Sequence, residues 1–367
     1  MREIALHGYF GYDNIGDEAI LHSIIEGIKS SEEESSITVF SSSPKKTSRR
    51  YGVKAVSRHN FCRIIRTLRN SHLFISGGGS LLQDVTSFHS PIYYLLVMRL
   101  AARFSEKAAF AFQGFGPLKN SLLQKCTVNT LKKLDEVSVR DEDSYRKLIH
   151  LGLPEKSVNR VYDPVFLQTP EDSGLNSKKS DSNSNFPRNN YEYNLGVAVR
   201  PWGNSEYLNE VAKSVSQFLR ENPEFKLTFL PLHYDSDIKS ARFVKDQLKD
   251  CENSRITMIS PIEHPGEITT IFSRLDLLLG VRLHSLIFAT MMGVPCVGIE
   301  YDPKIPAFLS QLDLEPAGKT GEITAHKIYS YLNCYWNRSK NISRKQREYS
   351  LACKREIEGY LSRLLQE

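Results

Sequence analysis

The tightest constraint in the sequence is Leu277–Lys304, LLLGVRLHSLIFATMMGVPCVGIEYDPK, in which one apolar segment follows another with no residues to spare. Leu277–Gly280 and Val294–Ile299 are short apolar runs of the kind that form parallel strands buried on both faces. Between them, Leu283–Met292 has the length of a helix, and Gly293 stands where such a helix stops. A strand, a helix and a strand this close together demand an α/β fold with a parallel sheet. Arg282 and His284 then fall between the carboxyl end of a strand and the amino end of a helix, the edge at which open α/β sheets hold ligands. The helix N-terminus favours an anion, and Arg282 adds a planar donor fork suited to phosphate or carboxylate. His284 is a proton donor tunable near neutral pH. Lys304, with Glu300, Tyr301 and Asp302, leaves the next strand at the same edge. Two readings stand together: a functional cluster of Arg282, His284 and Lys304, or a His284 that caps a helix beside an Arg282 paired with a surface acid.

The same alternation runs through the first half of the chain. Ile4–His7 reads as a strand, Gly8–Gly16 as a glycine loop and 17–29 as a helix. The loop lacks the GxGxxG spacing, and Asp17 and Glu18 in the first helical turn would repel a phosphate. It is therefore expected to meet neutral hydroxyl groups through Asn14 and Asp17, unless Asp17 is only a cap. A second strand at Ile37–Ser41 precedes a polar, basic stretch through Arg50, and 61–70 reads as helical. The strand His72–Ser76 opens directly into Gly77-Gly-Gly-Ser80 and Leu81-Leu-Gln-Asp84. Gly78 and Gly79 either bring backbone N–H groups close to an anionic ligand or make a tight turn. Ala108–Phe112 ends in another glycine loop, Gln113-Gly-Phe-Gly-Pro117. Arg140 follows the strand Val137–Val139, free to meet a ligand or to pair with Asp141 or Asp143.

Composition changes at Thr169–Asn190, which is rich in Ser, Asn, Asp and Lys and reads as a connector. The expected division is a first Rossmann-like domain at 1–168, a polar connector at 169–192 and a second Rossmann-like domain at 193–340. A closing helix at 341–367 either returns to the first domain or stays solvated. In the second half, strands are expected at Leu195–Val199, Leu227–Leu230 and Ile256–Ile259, with helices at 206–221, 239–249 and 267–273. Arg200, His233, Arg282 and His284 all follow strands and belong on one rim.

With 367 residues, 40% apolar and 25% charged, the chain suits a globular protein of two domains. Its net charge of +6 is spread out, which points to an anionic ligand or acidic surface and away from nucleic acid. The six cysteines show no CxxC or zinc spacing, so a reduced, cytoplasmic setting without a metal or other cofactor is expected. No run approaches the ~18 apolar residues of a membrane span. Peripheral contact with the inner face of a membrane, through Lys45–Arg50 and Arg63–Arg69, remains an expectation from charge.

Taken in order, Gly8-Tyr-Phe-Gly-Tyr-Asp-Asn-Ile-Gly-Asp-Glu-Ala19, Ile75-Ser-Gly-Gly-Gly-Ser-Leu-Leu-Gln-Asp84, Gln113-Gly-Phe-Gly-Pro117, Val139-Arg-Asp141 and Gly280-Val-Arg-Leu-His-Ser285 make the chain resemble the polysaccharide pyruvyl transferases. The resemblance spans nearly the whole chain outside the connector and is strongest to the CsaB-type branch, which modifies a secondary cell-wall polysaccharide in S-layer anchoring. It implies a GT-B-like fold, two Rossmann-like doubly wound domains facing a cleft. It also implies phosphoenolpyruvate as donor and a pyruvate ketal bridging two hydroxyls of one sugar as product, typically on a lipid-linked saccharide. By position, His284 matches the family's catalytic histidine, while Arg140, Arg200, Arg282 and Lys304, with Gly78 and Gly79, are candidates for binding the donor. Asn14, Asp17, Asp84 and His233 are the acceptor-side candidates. The same architecture would serve a glycosyltransferase with a nucleotide-sugar donor, or a non-catalytic binder of anionic glycans.

Overall fold

The computed structural model describes residues 2–32, 34–84, 88–168, 191–249 and 251–366. The expected connector at Thr169–Asn190 lies outside them. The chain forms two compact units, Met1–Leu167 with Cys353–Glu367, and Gln168–Ala352.

In the first unit seven strands pair in parallel, in the order β3-β2-β1-β4-β5-β6-β7. They are β1 (Arg2–His7), β2 (Ser35–Ser41), β3 (Lys54–Ser57), β4 (Leu73–Gly77), β5 (Lys107–Gln113), β6 (Glu136–Val139) and β7 (Asn159–Arg160). The helices are α1 (Ile15–Ser31), α2 (Pro44–Tyr51), α3 (Phe61–Arg69), α4 (His89–Phe104), α5 (Ser121–Leu131) and α6 (Glu142–His150). Strands buried on both faces have unbroken apolar sequences, as in Leu73-Phe-Ile75, which no water-facing strand would need. Phe74, Phe110, Tyr94, Met98, Leu68 and Leu131 belong to one core between this sheet and α3, α4 and α5.

The second unit repeats the plan with six parallel strands in the order β10-β9-β8-β11-β12-β13. These are β8 (Tyr193–Ala198), β9 (Phe225–Phe229), β10 (Ile256–Met258), β11 (Leu277–Gly280), β12 (Cys296–Glu300) and β13 (Gly318–Lys319). Its helices are α7 (Tyr207–Glu221), α8 (Tyr234–Asp246), α9 (Glu267–Phe272), α10 (Leu283–Met291), α11 (Lys304–Ser310) and α12 (Ala325–Asn337). The last helix, α13 (Ser339–Gln366), contributes to both units. In the second unit, Ser350 Oγ donates to Thr290 O at 3.1 Å. In the first, Tyr360 meets Phe112 edge-on at 5.2 Å, and Leu361, Leu364 and Leu365 are buried.

Strand order reverses between β1 and β4 in one unit and between β8 and β11 in the other. A crevice opens beyond the carboxyl ends of the strands at such a point. The residues that follow these four strands are Gly8, Gly78, Val199-Arg200 and Val281-Arg282, so the sequence motifs lie where this topology holds ligands.

Three local departures from the sequence expectation matter below. The basic stretch 44–51 is a helix, α2, followed by the polar edge strand β3. The run Lys304–Ser310 is a helix, α11. Helix α8 starts at Tyr234, five residues before the expected 239, which makes His233 its N-cap residue.

Candidate active site

In the second unit, β8 and β11 are neighbours with Ala198 opposite Gly280, and Val281 N donates to Ala198 O at 2.9 Å. Arg200 and Arg282 each stand two residues beyond that pair. Arg282 is the N-cap residue of α10, with extended backbone (φ −83°, ψ 135°). Leu283 and His284 form the first turn, and Ser285, fully buried, donates its Oγ to Arg282 O at 2.6 Å. Gly280 has to be glycine here: a Cβ would come within 2.5 Å of Ser285 Oγ. The His284 ring lies 6.0 Å from Phe288, one helical turn on.

Arg282 does pair with an acid, and that acid is buried. Its Nε donates to Asp237 Oδ2 at 2.6 Å and its Nη2 to Asp237 Oδ1 at 2.5 Å, a two-point fork. Nη2 also reaches Ser236 Oγ at 3.2 Å. The remaining capacity of Asp237 is filled by His233 N at 3.0 Å and Ser236 Oγ at 2.8 Å. The His233 Nδ1 lies 2.9 Å from Ser236 Oγ. Arg282 and His233, expected at a donor and an acceptor respectively, are thus joined in one network that fixes the mouth of α8 to the mouth of α10.

Arg200 is different. Its guanidinium lies over the rings of Tyr301 (4.7 Å) and Trp202 (5.2 Å), which are themselves edge-to-face at 4.8 Å. Among the described residues it holds no carboxylate, and its buried Nε has no hydrogen-bond partner. Tyr207, whose hydroxyl donates to Arg200 O, anchors the backbone; burial pushes its pKa up to about 12. Lys304 opens α11 and its backbone N–H reaches Asp302 Oδ1 at 2.9 Å. Arg200, the α10 N-terminus and His284 therefore lie on one sheet edge.

In the first unit, several residues expected at ligands are committed to the protein. Arg140, almost fully buried, donates from Nη1 to Asp163 Oδ2 at 2.6 Å, with Asp141 at 4.0 Å; Asp143 pairs instead with Lys147. Its charge is neutralised from within. Both oxygens of Asp84 accept backbone N–H groups, Lys119 at 2.9 and 2.8 Å and Asn120 at 2.8 Å. Partial burial would raise its pKa, but these bonds outweigh that and hold it below the usual range. Asp84 therefore staples the loop after β5. Asn14 caps α1 by accepting from Gly16 N at 3.2 Å.

The glycines after β4 answer to sterics as much as to ligand access. Gly78 and Gly79 have φ of +78° and +72°; a Cβ on them would stand 2.1 Å from Ile20 Cγ2 and 2.7 Å from Asp17 Oδ1. Gly78 N donates to Ala111 O at 3.2 Å, so that N–H serves the fold. Asp17 itself is buried at the first turn of α1 against Gly79. The neighbouring Glu18, read in the sequence only as a first-turn acid, organises the glycine loop: it accepts from Gly11 N (2.8 Å), Tyr51 OH (2.5 Å) and Arg50 (3.2 Å). Arg50 and Lys46, which also pairs with Asp13 at 2.8 Å, are accordingly turned to the protein.

A family model described as polysaccharide pyruvyl transferase matches residues 14–303, which takes in both rims. The chain belongs to this family. Among curated proteins no match is found. Solved structures resemble this pyruvyl transferase family member in fold. UDP-GlcNAc 2-epimerase from Neisseria meningitidis, bound to UDP-GlcNAc, aligns with a TM-score of 0.64 at 14% identity, covering 94% of each chain. Anabaena HepE in complex with UDP and glucose aligns with a TM-score of 0.60 at 10% identity, covering 100% of this chain and 98% of the other. The epimerase from Methanocaldococcus jannaschii gives 0.60 at 13%, covering 91% and 92%. The two parallel-sheet α/β domains are thus of the GT-B type.

Sequence reasoning gave no part to Asp237 or Trp202, which contact Arg282 and Arg200 here, nor to Arg58. Asp237 carried a usable signal, an acid in the first turn of a helix that follows a strand. Arg58 directly follows β3, a strand too short and polar to be read as one.

Proposed function

We propose that this chain moves the pyruvyl group of phosphoenolpyruvate onto two hydroxyls of one sugar in a cell-surface saccharide, forming a pyruvate ketal and releasing phosphate. The observation that carries the reading is Arg200, a partly covered guanidinium with two aromatic faces and no carboxylate, beside the α10 N-terminus and His284, in a chain of this family. Phosphoenolpyruvate bears a phosphate and a carboxylate. Arg200 and the α10 N-terminus are suited to them. Arg282 contributes chiefly by fixing the helix mouth, since Asp237 already takes two of its nitrogens; Lys304 is the further donor-side cation.

His284 protonates the donor's methylene carbon, leaving an oxocarbenium centre at C2. The first sugar hydroxyl attacks C2 and its proton passes to His284, restoring the acid. The C2–O bond to phosphate then breaks, its electron pair leaving with phosphate while nearby cations stabilise the charge. The second hydroxyl closes the ring at C2 and gives up its proton to phosphate or solvent. One proton ends on the new methyl group, so atoms and charge balance without a redox partner. A CsaB-type role, with a lipid-linked cell-wall saccharide as acceptor and the enzyme in the cytoplasm, is the finer version of this proposal.

Titration calorimetry of phosphoenolpyruvate against wild type and Arg200→Met tests the donor. About tenfold or greater loss of affinity is expected for one charge-assisted contact; equal affinity contradicts the assignment. A nucleotide-sugar donor is the outcome in which UDP-sugars, ligands of the fold neighbours, bind in place of phosphoenolpyruvate.

The acceptor's lipid suggests where the protein works. No helix among the described residues is long and apolar enough to cross a membrane. Phe88, Ile92 and Leu96 make an exposed apolar stripe at four-residue spacing on and just before α4, with Phe61 on α3 and Leu122 on α5 also exposed. Arg99, Arg103, Lys132 and Lys133 line the adjoining groove with no acid among them. This face suits an anionic leaflet, and the exposed Lys45, Lys46 and Arg49 offer further positive charge. Co-sedimentation with anionic vesicles is expected to fall sharply in Arg99→Glu/Arg103→Glu; unchanged binding contradicts it.

A further inference from the structure

Arg58 carries a charge that the fold leaves unmatched. It follows the last residue of β3, is held by its N–H to Ser41 O at 3.0 Å, and is only 9% exposed. Its Cζ lies 4.1 Å from the Tyr93 ring centroid, 5.4 Å from Tyr12 and 5.5 Å from Tyr94. Nη1 donates to Tyr12 OH at 2.7 Å, and Nε, buried, has no hydrogen-bond partner among the described residues. No carboxylate pairs with it among them either. Three other well-covered arginines each hold one: Arg50 holds Glu18, Arg140 holds Asp163 and Arg282 holds Asp237. The charge of Asp17 is felt at the surrounding Tyr9 and Tyr94.

Aromatic faces offset only part of the cost of burying an unpaired cation. The surroundings repeat the pattern. His7, fully buried 5.2 Å from Tyr94, leaves its Nε2 without a partner, and so does Gln113 Oε1. At the outer side, Tyr9 is 38% exposed and lies flat on Tyr12, centroids 4.1 Å apart and 9° between planes. A flat aromatic surface beside a buried guanidinium combines two recognition elements, a face for the C–H side of a sugar ring and a donor fork for an anion.

We propose that Arg58, with Tyr9, Tyr12 and Tyr93, forms a binding site on the first unit for an anionic saccharide, one carrying a carboxylate or a phosphate. Its identification with part of the acceptor rests on the pyruvyl-transfer reading; anion binding at Arg58 does not.

The test is calorimetry and thermal melting of the full chain and its Arg58→Met and Arg58→Lys variants with four probes: methyl glucoside, glucuronate, glucose 1-phosphate and inorganic phosphate. The anionic sugars are expected to bind wild type more tightly than methyl glucoside, and the better of the two names the anion. Arg58→Met is expected to lose about 10–100-fold of that affinity, the range of one charged hydrogen-bonding group, with partial recovery in Arg58→Lys. Without ligand, Arg58→Met is expected to melt no lower than wild type, because a neutral side chain of similar length removes the unmatched charge.

Equal binding of neutral and anionic sugars overturns the proposal, as does retention of anion affinity in Arg58→Met. Inorganic phosphate binding as tightly as both sugars removes the saccharide from it. Loss of phosphoenolpyruvate affinity in Arg58→Met would make this the donor site and overturn it too. Turnover failing while anion binding persists would instead remove only the pyruvyl-transfer reading.

Discussion

Burial, reinforced by the nearby Arg58 charge, lowers the His7 pKa from 6.5 to about 3. The folded protein therefore holds this ring neutral where the unfolded chain would protonate it. The resulting stabilisation is complete above about pH 6.5 and is lost as pH falls toward 3, with an upper bound on the order of 5 kcal/mol. Urea unfolding between pH 7 and 4 should show this slope, and His7→Phe should flatten it; an unchanged slope would assign the acid sensitivity elsewhere. Asp237 gives the second test at this scale. Removing its charge leaves Arg282 without a counter-ion in a covered site, a loss on the order of 3 kcal/mol. Asp237→Asn should melt lower and lose activity because the α10 mouth shifts; a variant of normal stability and rate would show that the fork is dispensable.

Among the elements, the β4–α1 contact is the most exacting. Ala at 78 has its Cβ 2.1 Å from a branched carbon of Ile20, buried in α1, whereas at 79 it meets one carboxylate oxygen of Asp17 at 2.7 Å. Both carry the left-handed backbone cost of roughly 1–2 kcal/mol, but only the first also forces a helix to move. Gly78→Ala should therefore destabilise more than Gly79→Ala in thermal melts, and the reverse order would contradict the packing. The sequence showed these strand–loop–helix junctions well, because parallel strands need continuous apolar runs and their loops need glycine. It concealed β3, whose Lys54-Ala-Val-Ser57 lies at the sheet edge and lacks an apolar run, and with it Arg58. Nor does it say which charges find partners within the fold. Arg140 follows a strand and Asp84 a strand-end glycine loop, yet their partners, Asp163 and the backbone at 119–120, are brought in by folding and cannot be read from spacing.

Across the molecule, two parallel sheets put the glycine loops of the first unit, and Arg200, Arg282 and His284 of the second, beyond strands that flank a reversal in order. The family match from 14 to 303 covers most of each. The central claim is that this arrangement transfers a pyruvyl group with His284 as the acid. The direct measurement is phosphate release from phosphoenolpyruvate, with and without sugar acceptors including lipid-linked disaccharides, by wild type and His284→Ala, with products weighed by mass spectrometry. The account predicts acceptor-dependent release and a pyruvylated sugar from wild type, with release falling by at least about 10²-fold in the variant. Undiminished release by His284→Ala, or transfer from a nucleotide sugar with phosphoenolpyruvate untouched, would contradict it.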